Sequence, residues 1–580
     1  MGHKNGKFFK LKREEEKLLS KDKVLAGAEP HRYTQDAEKV QSRNGRKGSE
    51  PLLPPFSPVQ ILWGVIMPKP LSFGRFEMGL TAGMGSGEGE SAAEAPMRIL
   101  IMGDFSGQAN RQRERPEISE RRPIVVDRDN LDQVIAKLGV DLHLKVGGSD
   151  SRLDIRFREL EDFHPDRLYQ RLELFQALRD LRSRLSDAST FKSAAEELRG
   201  WGAARRAEPA KTAPEQTPSP PPTSPEQLLE QILGGAPEPS SSGPSGSRDW
   251  QSYLRGVVEP HLAPKIDYSK QAQMVGLLDE VISRQMGALL HHPPFQALES
   301  AWRSVDFLVR RVETDADLKI YLLDVTKSEL LNDLEAVDSL RASGLYRLLV
   351  ESVVGVPGAV PWGLVLGNFT FGQDREDVEF LGRMAKICDK AGAPFVAAAS
   401  CRVFGVDSFA EAPDPQNWDP ERDPDGNIAW ESLRQLPEAR YLGLILPRFL
   451  LRLPYGKDTS STEQFEFEET AKDFQHESYL WGNPAFVCGC LMAEAYARYG
   501  WGLRLGIFQD IEGLPLHSYE DRGEKEVKPC AEALLTERAL EPILEKGLMP
   551  LLSFQGRDAV RLANFQSVAQ PAHALAGRWQ

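Results

Sequence analysis

The sequence predicts an α/β protein with two bodies: a small α/β body near the N-terminus, and a larger three-layer α/β body with a mainly parallel sheet. Two observations support this prediction. Short apolar runs typical of strands alternate with amphipathic stretches typical of helices, an order that favours parallel strands covered by helices on both faces. A segment rich in Pro, Ser and Ala separates the two bodies, and we expect it to be a disordered linker.

Composition divides the chain into five regions. Residues 1–66 are polar and punctuated by Gly and Pro, so we expect them to be disordered. They need not belong to the natural product, because Met67 or Met97 would give a more protein-like start. Residues 67–96 are predicted to form an edge strand and a Gly-rich tether, and residues 97–204 form the small body. The linker spans 205–249, and the larger body spans 250–580.

The small body is predicted from a clear succession of strands and helices. A continuous apolar run at 97–102 predicts a buried strand that ends at the sequence GDFSG, and 124–126 predicts a second, short strand. Apolar residues at helical spacing predict a helix over 131–138, which Gly139 stops. A hairpin follows, and then one long helix with its apolar stripe over 168–185.

The larger body is predicted to begin with two helices, followed by alternating strands and helices. The sequence HHPP separates the two helices, whose apolar positions span 278–289 and 295–309. Thr326 and Glu329 form a predicted capping box at the start of a later helix. The predicted strands, which we expect to pair in parallel, are 318–325, 362–366 and 394–399.

Composition and charge argue against several classes of function. The 580-residue chain has a formal net charge of -14, which disfavours binding to a nucleic-acid backbone. Five cysteines without a CxxC pair favour reduced thiols, and we expect Cys488 and Cys490 to be buried. No stretch reaches the ~20 apolar residues of a membrane helix. We therefore expect a cytoplasmic protein without membrane insertion.

No sequence motif predicts catalysis, a cofactor or a metal site. No G-x-G-x-x-G or P-loop pattern follows the predicted strands, and the glycines of 79–90 lack a strand–loop–helix context. Asp162, His164 and Asp166 lie close enough in sequence to ligate a metal, but a turn and a helix N-cap explain them more simply. The acidic residues of 466–469 are interpreted as a solvated face. We expect no enzyme.

Bulky aromatic and Arg side chains without catalytic partners indicate surfaces for contact between subunits, where Trp, Tyr and Arg often anchor interfaces. The same residue types are common in cores. Arg448 and Arg452 would lie one helical turn apart if LPRFLLRLPYG begins on a helix. The candidate interface residues are Asp104, Phe105, Trp302, Arg448, Arg452, Tyr455, Trp481, Asn483 and Trp501.

One apolar island, predicted as a short helix over 226–233, interrupts the linker. Its apolar stripe consists of Leu228, Leu229, Ile232 and Leu233. A lone helix of two or three turns is unstable in water, so it should fold only against another surface. That surface is either its own domain or a partner protein.

Several phrases, in the same order along the chain, resemble the sheath proteins of type VI secretion systems. Residues 97–201 resemble the small (TssB-like) sheath subunit through GDFSG, VDRDN and EDFHPDRL. Residues 225–571 resemble the large (TssC-like) subunit through LLHHPPFQALESAWR, LKIYLLDVTKSELLNDL, PRFLLRLPYG and YLWGNP. The resemblance covers about three-quarters of the chain.

This resemblance implies a structural protein that assembles, like a phage tail, into a helical tube around an inner tube. Contraction of the tube would eject effectors, and its partners would be other sheath subunits, the inner tube protein, a baseplate and a recycling AAA+ ATPase. The resemblance further implies that the ATPase captures the helix at Leu228–Leu233. It makes SFGRFEMGL a candidate strand for donation to a neighbouring subunit.

The chain departs from the family pattern in two ways. The two subunits are normally separate chains, so a fusion would fix their ratio and raise their effective concentration. The large subunit normally continues beyond the sequence NFQSVAQP, so we expect the larger body to be incomplete at its C-terminus. The alternative function is therefore a non-polymerising adaptor or regulator that binds sheath subunits or the ATPase.

Overall fold

The computed structural model describes residues 71–76, 95–111, 115–145, 152–203, 271–470, 476–521 and 523–580. All of these residues belong to one compact unit, Lys69–Gln580. The N-terminal residues 1–66 predicted to be disordered, the linker 205–249 and its helix 226–233 lie outside the described residues. We refer to residues 95–203 as the N-terminal segment and to residues 271–580 as the C-terminal segment.

The N-terminal segment contains four strands and four helices of seven residues or more among its described residues. The strands are β1 (Met97–Gly103), β2 (Ile124–Val126), β3 (Asp141–Lys145) and β4 (Arg152–Arg156). The helices are α1 (Leu131–Leu138), α2 (Pro165–Arg171), α3 (Glu173–Ser186) and α4 (Phe191–Ala203). Strands β3 and β4 pair as the predicted antiparallel hairpin.

The C-terminal segment starts with two long helices and then alternates strands and helices. Its helices of nine residues or more are α5 (Gln271–Leu290), α6 (Pro293–Arg311), α7 (Lys327–Glu335), α8 (Arg375–Ala391), α9 (Pro424–Arg434), α10 (Ala485–Tyr499) and α11 (Glu537–Glu545). The strands are β5 (Leu318–Asp324), β6 (Leu364–Phe371), β7 (Phe395–Ala399), β8 (Leu442–Leu446), β9 (Phe449–Leu450), β10 (Trp481–Gly482), β11 (Asp510–Ile511), β12 (His517–Asp521), β13 (Glu524–Lys528), β14 (Met549–Ser553) and β15 (Val560–Leu562).

One nine-stranded sheet organises the molecule, with the strand order β11-β15-β14-β8-β7-β6-β1-β5-β2. The six strands from β14 to β5 pair in parallel. The strands outside them, β2 on one side and β15 and β11 on the other, pair antiparallel. The mixed α/β fold with a large, mostly parallel sheet is therefore confirmed.

Both faces of this sheet are covered, which explains why its strands are apolar throughout rather than alternating. On β1, Ile99 and Ile101 join the core formed with helices α5, α6 and α10. Leu100 and Met102, on the opposite face of the strand, join the core formed with helices α7, α8, α9 and α11. The result is a three-layer arrangement with the sheet in the middle.

Several local predictions are confirmed. Thr326 and Glu329 form the reciprocal capping box at the start of α7. Gly139 and Gly392 end α1 and α8 in the left-handed conformation that glycine adopts without steric cost. His164 is the N-cap of α2. Cys488 and Cys490 of α10 are buried, as predicted.

One helix prediction is wrong, and the condition attached to a second is not met. The long helix predicted over 168–185 is divided into α2 and α3 by Leu172, whose backbone is extended. The apolar stripe hides this break, because Leu168, Leu172 and Phe175 are all buried. The sequence LPRFLLRLPYG is also not helical. Its Phe449–Leu450 pair lies opposite Trp481–Gly482 as strands β9 and β10, so these backbone groups bond across strands.

Candidate functional site

The most extensive contact between the two segments is the pairing of β1 with its neighbours. All seven residues of β1 are in register with Leu318–Asp324 of β5, and four of them also face β6. The bonding to β1 extends one residue past each end of β5: Met97 N donates to Asp317 O at 2.7 Å, and Val325 N donates to Gly103 O at 2.9 Å. A strand of the N-terminal segment thus completes the sheet of the C-terminal segment.

A buried carboxylate holds the turn that follows β1. Asp324, the last residue of β5, accepts hydrogen bonds from Phe105 N at 2.8 Å and from Ser106 N at 3.0 Å. It also forms an ion pair with Arg115. Hydrogen bonds to a charged acceptor are stronger than neutral ones, so this residue fixes the GDFSG turn against the C-terminal segment.

Trp302 of α6 packs directly on the same turn. Its side chain is fully buried, and its indole N–H donates to the Phe105 carbonyl at 2.8 Å. The Trp302 and Phe105 rings are tilted, with their centroids 5.6 Å apart. Both residues were predicted as candidate interface residues, and the structure brings them together inside one chain.

An aromatic cluster extends the contact between the N-terminal and C-terminal segments, which we call the junction, towards α2. Phe157 and Phe163 stack with their centroids 4.0 Å apart. The Phe295 ring of α6 meets both of them edge-on, at 6.0 Å and 5.7 Å. Such edge-to-face pairs add to the free energy gained by burying the rings.

Polar contacts at the edge of the junction orient the two segments. Asp166 accepts hydrogen bonds from Glu463 N at 2.9 Å and from Gln464 N at 3.0 Å. The Arg182 guanidinium of α3 contacts the Asp279 carboxylate of α5 through two nitrogens. The residues predicted to cap α2 therefore also reach the C-terminal segment.

Beside this junction lies a network of buried charges centred on Arg452. The Arg452 guanidinium lies 2.8 Å from Glu299 Oε1 and 2.7 Å from Glu469 Oε2. Both carboxylate side chains are completely buried. Arg303 also pairs with Glu299, at 2.7 Å, and donates to the Tyr455 hydroxyl at 3.0 Å. Burial raises the pKa of Tyr455 to about 12.

Glu469 corrects the interpretation of residues 466–469 as a solvated face. Its side chain is buried, and it accepts a hydrogen bond from Tyr455 N at 2.7 Å. Burial alone would raise the pKa of this carboxyl group, but the Arg452 charge and the hydrogen bonds from His291 and Arg452 lower it to about 2. The sequence did not show this, because Arg452 and Tyr455 lie 17 and 14 residues before Glu469 in irregular chain, and His291 lies 178 residues before it.

A cavity of about 640 Å³ lies over the network, where the two segments meet. His164 of the N-terminal segment lines it, and its ring meets the Tyr455 ring edge-on at 4.9 Å. Arg303 and Arg452 also line the cavity, but their guanidinium groups already face the carboxylates described above. In the part of the chain that the structure describes, no group of three metal-ligating side chains is present.

The remaining candidate interface residues lie at other contacts within the chain. Arg448 contacts both carboxylate oxygens of Glu532, at 3.0 Å and 2.6 Å. Asp104 accepts hydrogen bonds from two backbone amides of the next turn. The indoles of Trp481 and Trp501 donate to His476 O and Ala95 O, and Asn483 donates to two carbonyls of β6. Their contact with other subunits stays a prediction.

Sequence reasoning missed the roles of Asp324, Glu299 and Glu469, three buried carboxylates at or beside the contact between the two segments. Glu299 lies three residues before Trp302 on the buried face of α6, and that position was the available signal. The predicted ATPase-recognition residues Leu228, Leu229, Ile232 and Leu233 lie outside the described residues.

The buried carboxylates predict how stability depends on pH. The pKa of Glu532 is also lowered to about 2, because hydrogen bonds from Arg448 and His476 outweigh the effect of burial. Glu469 and Glu532 therefore stabilise the fold above the unfolded-state pKa of about 4.5, and this contribution is lost as the pH falls towards 2. We expect the urea midpoint to fall steeply over this range.

The variant Glu532→Gln should be less stable at pH 7 and should show a shallower fall in its urea midpoint between pH 4.5 and 2. Glu526→Gln, at an exposed position of β13, is the matched control and should follow the parent protein. An identical acid profile for Glu532→Gln and the parent would contradict this assignment.

Comparison with known proteins defines the class as sheath proteins of type VI secretion systems. The family described as EvpB/VC_A0108, tail sheath N-terminal domain, matches residues 272–569, which is more than half of the chain. The chain belongs to this family. A second family, described as Type VI secretion system, VipA, VC_A0107 or Hcp2, matches residues 80–200. The resemblance to two sheath proteins joined in one chain is therefore confirmed.

The type VI secretion system sheath protein TssC1 of Pseudomonas aeruginosa is 35% identical over 305 residues. The match covers 52% of this chain and 61% of the relative, so this chain spans less than two thirds of the relative's length. No helix in the described ranges combines the length and apolar character needed to cross a bilayer.

Proposed function

We propose that this chain is a structural subunit of a type VI secretion sheath, in which the small and large sheath proteins are permanently joined. The observation that carries the proposal is the position of β1. A strand from the region that matches the VipA family lies between two strands from the region that matches the tail sheath family. The protein does its work by assembly, and we assign it no catalytic reaction.

Joining the two sheath proteins has a direct physical consequence for assembly. Two separate chains must find each other at their cellular concentrations, whereas two linked bodies meet at an effective concentration in the millimolar range. The ratio of the two bodies is then always one to one. Copies of this unit would form a tube around an inner tube protein, start from a baseplate and contract to eject effectors.

Electron microscopy tests this function. The full chain, expressed together with the sheath and inner tube proteins of its own system, should give tubules of constant diameter with helical layer lines. Immunogold labelling of a tag on this chain should decorate the tubule wall. Dispersed particles, or tubules that exclude the tagged chain, would contradict a sheath role and support the adaptor alternative.

The proposed recycling partner is an AAA+ ATPase that captures the apolar island of the linker. Leu229→Asp or Ile232→Asp places a charge within the apolar stripe and should weaken capture at least tenfold in a pull-down with purified ATPase. Gln227→Asp adds the same charge on the opposite side of the predicted helix and should bind like the parent. Equal binding by all three variants would remove the ATPase from this segment.

A further inference from the structure

A short segment before the VipA-like region, Leu71–Phe76, lies in a groove on helix α8. Three side chains of the segment, Leu71, Phe73 and Phe76, pack on the core that includes α8, whereas Ser72 and Arg75 are exposed. Residues 77–94, which connect this segment to the N-terminal segment, lie outside the described residues. The groove therefore holds a piece of chain that is distant in sequence from α8.

One stripe of α8 bonds to the backbone of this segment. Ser72 N donates to Glu379 Oε1 at 3.2 Å, and Arg383 Nε donates to Ser72 O at 3.1 Å. Lys386 Nζ donates to Gly74 O at 2.9 Å. Glu379, Arg383 and Lys386 are spaced four and three residues apart, which places them on the same face of the helix.

The loop that follows α7 forms the other wall of the groove. Leu340 N donates to the Arg75 carbonyl at 3.0 Å, and Arg75 pairs in parallel with Ser339. The Phe76 ring lies 5.6 Å from the Tyr346 ring. The backbone of the segment is thus bonded by side chains of α8 on one wall and by the backbone of Leu340 on the other.

Two glycines make the fit specific. Gly382 lies in the middle of α8, and a Cβ atom at this position would overlap the Phe73 ring. Gly74 has a positive φ of 67°, which glycine adopts readily, and a Cβ atom there would lie 2.9 Å from the Leu340 side chain. The groove therefore accepts an aromatic ring only because its own helix lacks a side chain at position 382.

We propose that this groove is a peptide-recognition site for an extended segment with the pattern aromatic–Gly–x–aromatic, and that residues 71–76 of the same chain fill it. Gly382 is the residue that determines specificity, because it makes room for the first aromatic ring. Hydrogen bonds to its carbonyl groups, from the Arg383 and Lys386 side chains and from Leu340 N, hold any segment of this shape, and the two rings select the sequence.

Limited trypsin digestion of the full chain tests the proposal, because Arg75 is a cleavage site within the bound segment. Gly382→Ala should displace Phe73 and accelerate cleavage after Arg75 at least tenfold, measured by mass spectrometry of the released fragment. Gly276→Ala is the matched control: it also lies in a long helix, with nothing within 4 Å of the added Cβ atom. It should leave the cleavage rate unchanged.

A second variant separates recognition from a general loss of folding. Phe73→Ala should itself accelerate cleavage, and adding Gly382→Ala to it should cause no further increase, because the ring that the new methyl group would strike is gone. Additive acceleration, or equal rates in Gly382→Ala and the parent, would overturn the proposal. Protection that disappears on dilution would also overturn it, since the bound segment would then come from a second copy.

Discussion

Replacing Arg452 with Met is expected to lower the free energy of unfolding by about 3–5 kcal/mol, the range measured when one partner of a buried ion pair is removed. Glu299 and Glu469 would remain buried without the guanidinium that lies within 3 Å of both. Met keeps most of the side-chain volume, so the loss reports on charge rather than on a cavity. Urea unfolding at pH 7, followed by circular dichroism, measures it.

The control is Arg440→Met. Arg440 also pairs with a carboxylate, Asp389, at 3.3 Å, but half of its side chain is exposed to solvent. Surface ion pairs contribute about 0–1 kcal/mol, so this variant should unfold almost like the parent. The double variant Arg452→Met with Glu469→Gln should recover some of the loss, because it removes one of the two buried carboxylates that Arg452 neutralises. Equal losses in Arg452→Met and Arg440→Met would contradict the importance of the buried network.

Trp302→Ala is the second variant with a large expected effect, also about 3–5 kcal/mol. The indole is fully buried, and its removal leaves a cavity beside the GDFSG turn and an unpaired Phe105 carbonyl. The variant should weaken the attachment of the N-terminal segment specifically. Hydrogen exchange of the β1 amides should therefore accelerate more than that of β7, which lies two strands away in the same sheet.

A double-mutant cycle isolates this contact. Phe105→Ala combined with Trp302→Ala should show a coupling energy of about 0.5–3 kcal/mol, because the two side chains touch. Trp418→Ala provides the control: its ring packs on Phe404 at 4.7 Å and on Phe409 at 5.0 Å, both in the C-terminal segment. Phe105→Ala and Trp418→Ala should add within about 0.5 kcal/mol. Additivity in both cycles would show that the Trp302–Phe105 contact does not tie the segments together.

The sequence predicted most of the local structure, because its signals are local. The apolar run at 97–102 indicated a buried strand, and the capping box at Thr326 and the stop at Gly392 marked helix ends. The pattern could not show which sheet the strand joins. A continuous apolar run indicates burial on both faces, but the choice of neighbours depends on contacts with residues more than 200 positions away.

The candidate site was predicted less well, for a related reason. Whether a carboxylate is solvated or part of a buried ion pair depends on its neighbours in space. From the sequence alone, Glu469 is interpreted as part of an acidic surface, whereas the structure places it with Arg452 and Glu299 in a buried network. Trp302 and Phe105 were singled out for their residue type and motif. Their contact with each other, and its place inside a single chain, came only from the structure.

The central position of β1 also affects how the chain folds during translation. Met97 pairs with Leu318, so translation must continue for more than 200 residues before this apolar strand has its first neighbour in the sheet. Contacts between residues so far apart form slowly, and an unpartnered strand is prone to aggregate meanwhile. Fusing the two bodies in this order therefore replaces an encounter between two molecules with a delay within one nascent chain.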